Sequence, residues 1–389
     1  MILLLLLVLG LSYGMDLKTA IDKAVSSHPS IRALEEELKG FEGRSITYRS
    51  YLNPTVGVEV GNFGTSKDGV SSNPVYRVSY SQPLLIYPIG KLSKEVVRYE
   101  TEAFKERISQ EKNTLRGEVY SAFYSVLYRK ELLNIAQENY RISQDLYKFT
   151  KKLFELGEIT KLELFRVERE LDLAKTELEL ANTDLRNALQ RLSFLVGEEV
   201  RDVEGSLQDL PPMKEINPEN LPQVKQYEYM IRSAKANIDL EKTLAKPQVS
   251  VEAIGEKVSQ HEYGARVALS ATLPLFYKRE GEIIQLSARV RSLESYRSLE
   301  LKRAKSEYER LLSRYEALKR EINNVESFMI PKLREELSLA LKSYRLRTIT
   351  SLELSDTKRR YLQLLRYRAD LLMQAHEEYA RYLSLGGEL

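Results

Sequence analysis

The chain has 389 residues, enough for two or three ordinary domains, yet its composition is not that of ordinary domains. Charged residues make up 30%, and 59 Lys+Arg against 56 Asp+Glu leave a net charge of +3, so no polyanion-binding field and no nucleic-acid partner are expected. Cysteine is absent and His28, His261 and His376 are the only histidines, which excludes zinc fingers, Fe–S centres, thiol nucleophiles and disulfides.

From the N-terminus, Met1 to Leu11 is almost wholly apolar and is followed by Ser12-Tyr13-Gly14. The run is too short to span a bilayer, and small residues stand at the two positions a signal peptidase reads. Residues 1–14 therefore read as a signal peptide. Asp16 is placed to cap a helix over Leu17–Val25, and His28-Pro29 breaks it.

Thr55–Gly61 and Tyr76–Ser81 alternate apolar and polar residues with period two, which predicts a hairpin turning within Gly61–Asn73. Gly90 to Phe154 has no Pro and only Gly117 inside it, so a very long helix is expected. A break at Leu156–Thr160 precedes a strict heptad: Leu164, Leu171, Leu178, Leu185 and Leu192 form one row, and Val167, Ala174, Ala181, Ala188 and Leu195 another. That is a coiled-coil seam, with Ala allowing close helix approach. Residues 197–222, with Pro211, Pro212 and Pro218, read as a surface connection.

The pattern then repeats. Gln248–Ile254 and Ala265–Leu273 alternate, with a turn near Val258–Tyr263, and Gly281–Arg345 is helical apart from Pro331. Leu156-Gly157-Glu158-Ile159-Thr160-Lys161-Leu162-Glu163-Leu164 and Leu346-Arg347-Thr348-Ile349-Thr350-Ser351-Leu352-Glu353-Leu354 share six of nine residues. The chain is thus a duplication: residues 15–196, the connection 197–222, and residues 223–389. Two hairpins leave bare strand edges, and strands near ten residues suit a tilted bilayer crossing. Phe63, Tyr76, Tyr80, Tyr263, Phe276 and Tyr277 would be interfacial aromatics.

This order, with the two breaks at Leu156–Leu164 and Leu346–Leu354 and the strand exits Gln82-Pro83-Leu84-Leu85 and Leu273-Pro274-Leu275-Phe276-Tyr277, resembles the TolC-type outer membrane efflux proteins. The segment Leu273–Ile283 looks most like members paired with heavy-metal pumps of the resistance-nodulation-division type, although the His and Met residues form no soft-metal relay. The resemblance implies a mainly α fold with membrane β. Long coiled-coil helices form an α-helical barrel, and four strands per chain complete a homotrimeric twelve-stranded transmembrane β-barrel. It implies an outer-membrane exit duct of a tripartite efflux or type I secretion system, with a long periplasmic extension. A periplasmic adaptor docks on it, and an inner-membrane transporter supplies the energy.

In that frame Arg77, Ser79, Glu252 and Arg266 face the water-filled lumen, and the alternate apolar residues face outer-membrane lipid. The resemblance places the periplasmic gate at Glu353, Asp356, Tyr344 and Glu163, with a Tyr344–Glu163 contact when closed. It places adaptor docking at Leu156, Gly157, Ile159, Thr160, Leu346, Arg347 and Thr350. Arg347 stands where the family has Gly, which implies either a different turn or pairing with an acidic adaptor residue. No cofactor is implied. No phosphate loop and no catalytic triad is present, so an enzyme is not expected. The rival readings are a periplasmic adaptor, which lacks support because no lipoyl-like β-repeats flank the helices, and a coiled-coil scaffold without a pore, which would not need detergent.

Overall fold

The computed structural model describes residues 14–48, 52–66, 69–257 and 261–389. The expected signal peptide lies outside them except for Gly14, as do part of the second expected hairpin turn and the side chain of Phe63. The described elements are α1 (Leu17–Ser27), α2 (Pro29–Thr47), β1 (Thr55–Ser66), β2 (Gly69–Leu84), α3 (Ile89–Glu155), α4 (Lys161–Val196), α5 (Pro222–Leu244), β3 (Gln248–Lys257), β4 (Tyr263–Thr272), α6 (Glu280–Asn324), α7 (Ile330–Arg345) and α8 (Ser351–Leu385). A 3-10 turn lies at Pro218–Asn220 and a π-helical turn at Val325–Met329. By contacts the chain forms two compact units, each built from both repeats: Met1–Ala33 with Ile108–Leu221 and Lys302–Leu389, and Leu34–Arg107 with Pro222–Leu301.

The second unit holds the sheet. Its order is β1-β2-β3-β4 and every neighbouring pair is antiparallel. The two expected hairpins are joined into this one sheet by β2 and β3, which pair from Tyr76↔Lys257 to Leu84↔Val249. The strands of the first hairpin are longer than their alternating segments and run to the Ser66↔Gly69 pair, inside the expected turn range Gly61–Asn73. Gly61, Gly64, Ser71 and Asn73 favour turns, but a ladder needs only backbone groups, and Pro74 falls where the register shifts. Around the helices of this unit, Ile231, Ala234, Val290 and Leu293 form a small apolar core.

In the first unit Asp16 caps α1, accepting from Thr19 N at 2.9 Å and from the Thr19 hydroxyl at 2.6 Å. Those bonds hold its carboxyl below the ordinary range. His28 turns the chain between α1 and α2 as expected. Both heptad rows of α4 are buried or half-buried, as a seam requires. Val167, Ala174 and Leu192 are its most enclosed members. At Gly117 on α3 a Cβ would overlap the Ser384 side chain and the Ala380 carbonyl, so glycine is what lets α3 and α8 touch. The counterpart of α3 in the second repeat is not one helix. Before Pro331 it loosens into the π turn, where Val325 is buried and Glu326 accepts from Arg368 at 2.6 Å.

The connection 197–222 is clamped rather than loose. Met15 N donates to Asp202 O at 2.9 Å, and Glu204 N donates to Met15 O at 3.0 Å. Tyr315 donates to Pro211 O at 2.6 Å, and Tyr382 meets both Lys214 N and Lys214 O. Behind them His376, fully buried, places Nε2 2.9 Å from Leu207 O and Nδ1 2.9 Å from the Tyr120 hydroxyl. A carbonyl only accepts, so Nε2 carries the proton and Tyr120 donates to Nδ1. Tyr124 stacks on the imidazole with centroids 3.5 Å apart.

Candidate functional sites: two helix turns and a two-faced sheet

The two breaks are one backbone motif written twice. At the first, Gly157 has φ +73°, Gly157 N donates to Phe154 O at 2.9 Å, and Glu158 N donates to Leu153 O at 2.9 Å. At the second, Arg347 has φ +63°, Arg347 N donates to Tyr344 O at 3.0 Å, and Thr348 N donates to Ser343 O at 2.9 Å. Each is a Schellman termination. Thr160 and Thr350 then cap α4 and α8, accepting from Glu163 N and Glu353 N at 3.3 Å each. The second turn is therefore not different. Arg347 carries the left-handed geometry that Gly157 adopts freely, at a cost of about 1–3 kcal/mol.

Arg347, expected to meet an acidic residue of the adaptor, has an acidic partner within the chain. Its guanidinium pairs with Glu158 of the first turn. Leu156 and Leu346 are 71% and 76% exposed, so neither packs inside its own hairpin. Ile159 and Ile349 are half-buried, Ile349 against the cluster around Leu337, Tyr344 and Leu354.

The four expected gate residues are placed as follows. The Tyr344 hydroxyl lies 3.0 Å from the Thr150 hydroxyl, both buried. Burial raises the Tyr344 phenol most, and nearby Glu163 adds to it, but Glu163 is not its hydrogen-bond partner. Glu353 folds back onto its own cap, accepting from Thr350 N at 2.8 Å and from the Thr350 hydroxyl at 3.0 Å. These bonds lower its pKa, and its carboxylate is thereby committed to a capping box. Asp356 pairs with Arg359 and with Arg360. Sequence reasoning missed three partners here: Thr150, Glu158, and the buried Lys358, which donates to Ser143 at 2.9 Å and to Glu170 at 3.1 Å. A lysine in a chain with 30% charged residues carries no local sign that it is buried.

The register sorts the sheet into two faces. Glu59, Arg77 and Glu256 lie opposite one another. Arg77, Ser79, Glu252 and Arg266 share their face, as expected. Arg77 bridges Glu59 and Glu256, and Arg266 pairs with Glu256 at 3.2 Å. Ser250 and Ser270 hydrogen-bond on the same face at 2.7 Å. The other face carries Val56, Val58, Val60, Tyr76, Val78, Tyr80, Tyr263, Val267 and Leu269, all exposed, with Val58 at 75% and Val267 at 77%. An apolar face this continuous marks contact with a partner or a membrane. No helix among the described residues is long and apolar enough to cross a membrane, and those residues bring no metal-holding cluster together.

Residues 20–198 match the Outer membrane efflux protein family. No curated protein matches the chain. The fold as a whole is that of solved outer-membrane channels. It is similar to CusC, with TM-score 0.81 and 17% identity over 97% of this chain and 94% of that one. It is similar to a membrane protein from Pseudomonas aeruginosa, with TM-score 0.80 and 16% identity over 95% and 92%. The open state of the Neisseria gonorrhoeae MtrE outer membrane channel matches with TM-score 0.77 and 18% identity over 95% and 89%.

Proposed function

We propose that the protein is the outer-membrane exit duct of an efflux system. The observation that carries this reading is the sheet with one charged face, one exposed apolar face and, among the described residues, unpaired outer sides on β1 and β4. Such a sheet is complete only when its edges are paired and its apolar face is out of water. Three copies supply twelve antiparallel strands, an even number that closes a barrel. The charged face then lines the lumen and the apolar face meets lipid. The helices form the periplasmic extension. The family match over residues 20–198 and the similar folds of CusC and MtrE support the same reading.

Passage is passive in this reading, and the energy comes from an inner-membrane transporter. The exposed Leu156 and Leu346, with Gly157, Ile159, Thr160, Arg347 and Thr350, form the surface offered to a periplasmic adaptor. Closure at the helix turns involves Tyr344, now through Thr150, together with Glu163, Asp356 and Glu353, whose main local task is the cap. Tyr344→Phe removes one hydroxyl from a buried pair and should raise single-channel conductance in planar bilayers. Unchanged conductance would remove Tyr344 from the closure.

The deciding experiment is the mass of membrane-extracted protein in mild detergent, with and without boiling. A species of three chains that needs detergent and collapses to one chain on boiling is expected. A monomer recovered without detergent would sink the duct.

A further inference from the structure

The second unit contains a cavity of about 350 Å³ between α2, α3, α5 and α6, a size ordinary for small-molecule sites. Its chemistry is lopsided. Phe41 and Phe104 lie in contact, with centroids 5.1 Å apart. Arg44 covers the outer face of Phe41 at 4.7 Å, and Arg107 covers Phe104 at 5.7 Å. A third guanidinium, Arg289 of α6, reaches the same cavity, whose one carboxylate is Glu100. Arg44 takes that carboxylate. Among the described residues neither Arg107 nor Arg289 has an ion-pair partner, so two cations look into one cavity with no anion to answer them. Met230, Leu286 and the buried Ala103 and Ala234 give the remaining wall apolar patches beside the polar Gln226, Ser233 and Asn237.

We propose that this cavity binds a small amphipathic anion: an aromatic or aliphatic body carrying one carboxylate or sulfonate. The apolar body lies against Met230, Leu286 and the edges of the two phenyl rings. The acid group meets Arg107 and Arg289, whose forked donors suit a planar or tetrahedral oxyanion. Neither half suffices alone. Inorganic anions lack the body that displaces water from the apolar wall, and neutral hydrocarbons leave the two guanidinium groups unanswered. The site lies within one chain and does not depend on the duct reading.

The test uses full-length protein in non-ionic detergent and 2-naphthalenesulfonate as the probe, measured by equilibrium dialysis against a detergent-only control. Saturable binding at one site per chain is expected. Inorganic sulfate should compete at least tenfold less well, as should neutral naphthalene. Arg107→Gln with Arg289→Gln should weaken binding at least tenfold, and Ala234→Leu, which fills the cavity, should do the same with both guanidinium groups in place. Circular dichroism and the thermal midpoint report whether each variant folds. Binding that does not exceed the detergent control, or that survives both the double variant and Ala234→Leu, overturns the proposal. Competition by sulfate equal to that of the probe also overturns it, because the site would then read charge alone.

Discussion

Helices α4 and α8 follow equivalent turns, have 36 and 35 residues, and descend from one repeated module, yet they are buried very differently. Four residues of α4 are buried, against seventeen of α8. In α8 the enclosed set includes Tyr361, His376, Tyr379 and Tyr382, which reach α3, α6 and the connecting segment. α4 buries three residues of its heptad seam and Val196, and leaves Leu162, Phe165, Leu173, Leu180 and Phe194 exposed. Duplication thus preserved the backbone and let the faces diverge. One copy became the core of its unit, and the other kept an exposed apolar face.

The largest effect should come from α8. Tyr382→Ala removes a fully buried ring and its bonds to Lys214 and should lower unfolding free energy by about 3–5 kcal/mol in urea titrations. Leu173→Ala on α4 should leave that value within about 0.5 kcal/mol and weaken only the detergent-stable oligomer. An equal loss at both positions would erase the contrast.

Next comes pH. Burial lowers the pKa of His376 from 6.5 to about 4. The unfolded chain therefore binds a proton between those values while the folded chain does not, so stability falls as pH drops from 6.5 towards 4. The loss is on the order of 3 kcal/mol, because each tenfold drop in proton affinity on folding is worth about 1.36 kcal/mol. His376→Gln should flatten that part of the pH–stability curve.

Smaller effects separate the turns. Glu353→Ala should cost about 0.5–2 kcal/mol by orphaning Thr350 N–H, whereas Glu163→Ala should cost less because Glu163 does not reach back to its cap. The smallest change is Arg347→Gly. Relief of the left-handed conformation and loss of the pair with Glu158 oppose each other, so thermal midpoints should differ by only a few degrees. A large destabilisation would mean that the Arg347–Glu158 pair dominates.

Much of this was readable from period alone. The heptad rows of α4, the Asp16 cap, the two helix breaks and the sheet faces all follow from local spacing. The tyrosine cluster was not readable. Tyr120, Tyr315, His376 and Tyr382 come from three distant helices, and their partners at Leu207, Pro211 and Lys214 are backbone carbonyls, which any residue supplies. The full length of the first hairpin's strands was not readable, because glycine and serine signal turns locally, while pairing across β1 and β2 is decided between strands. Glu353 was assigned to the gate from its place in the motif; that Thr350, three residues earlier, takes its carboxylate into a capping box was not read.

The order β1-β2-β3-β4 leaves the first and last strands each paired on one side only among the described residues. In hydrocarbon every open N–H and C=O on those edges costs several kcal/mol. A lone chain in the proposed membrane site would therefore have no stable inserted state, and entry into lipid would be simultaneous with finding its neighbours. Insertion would then follow the rate law of an association reaction. Diluting the chains at constant lipid should slow it steeply, while the helices of each unit fold at an unchanged rate.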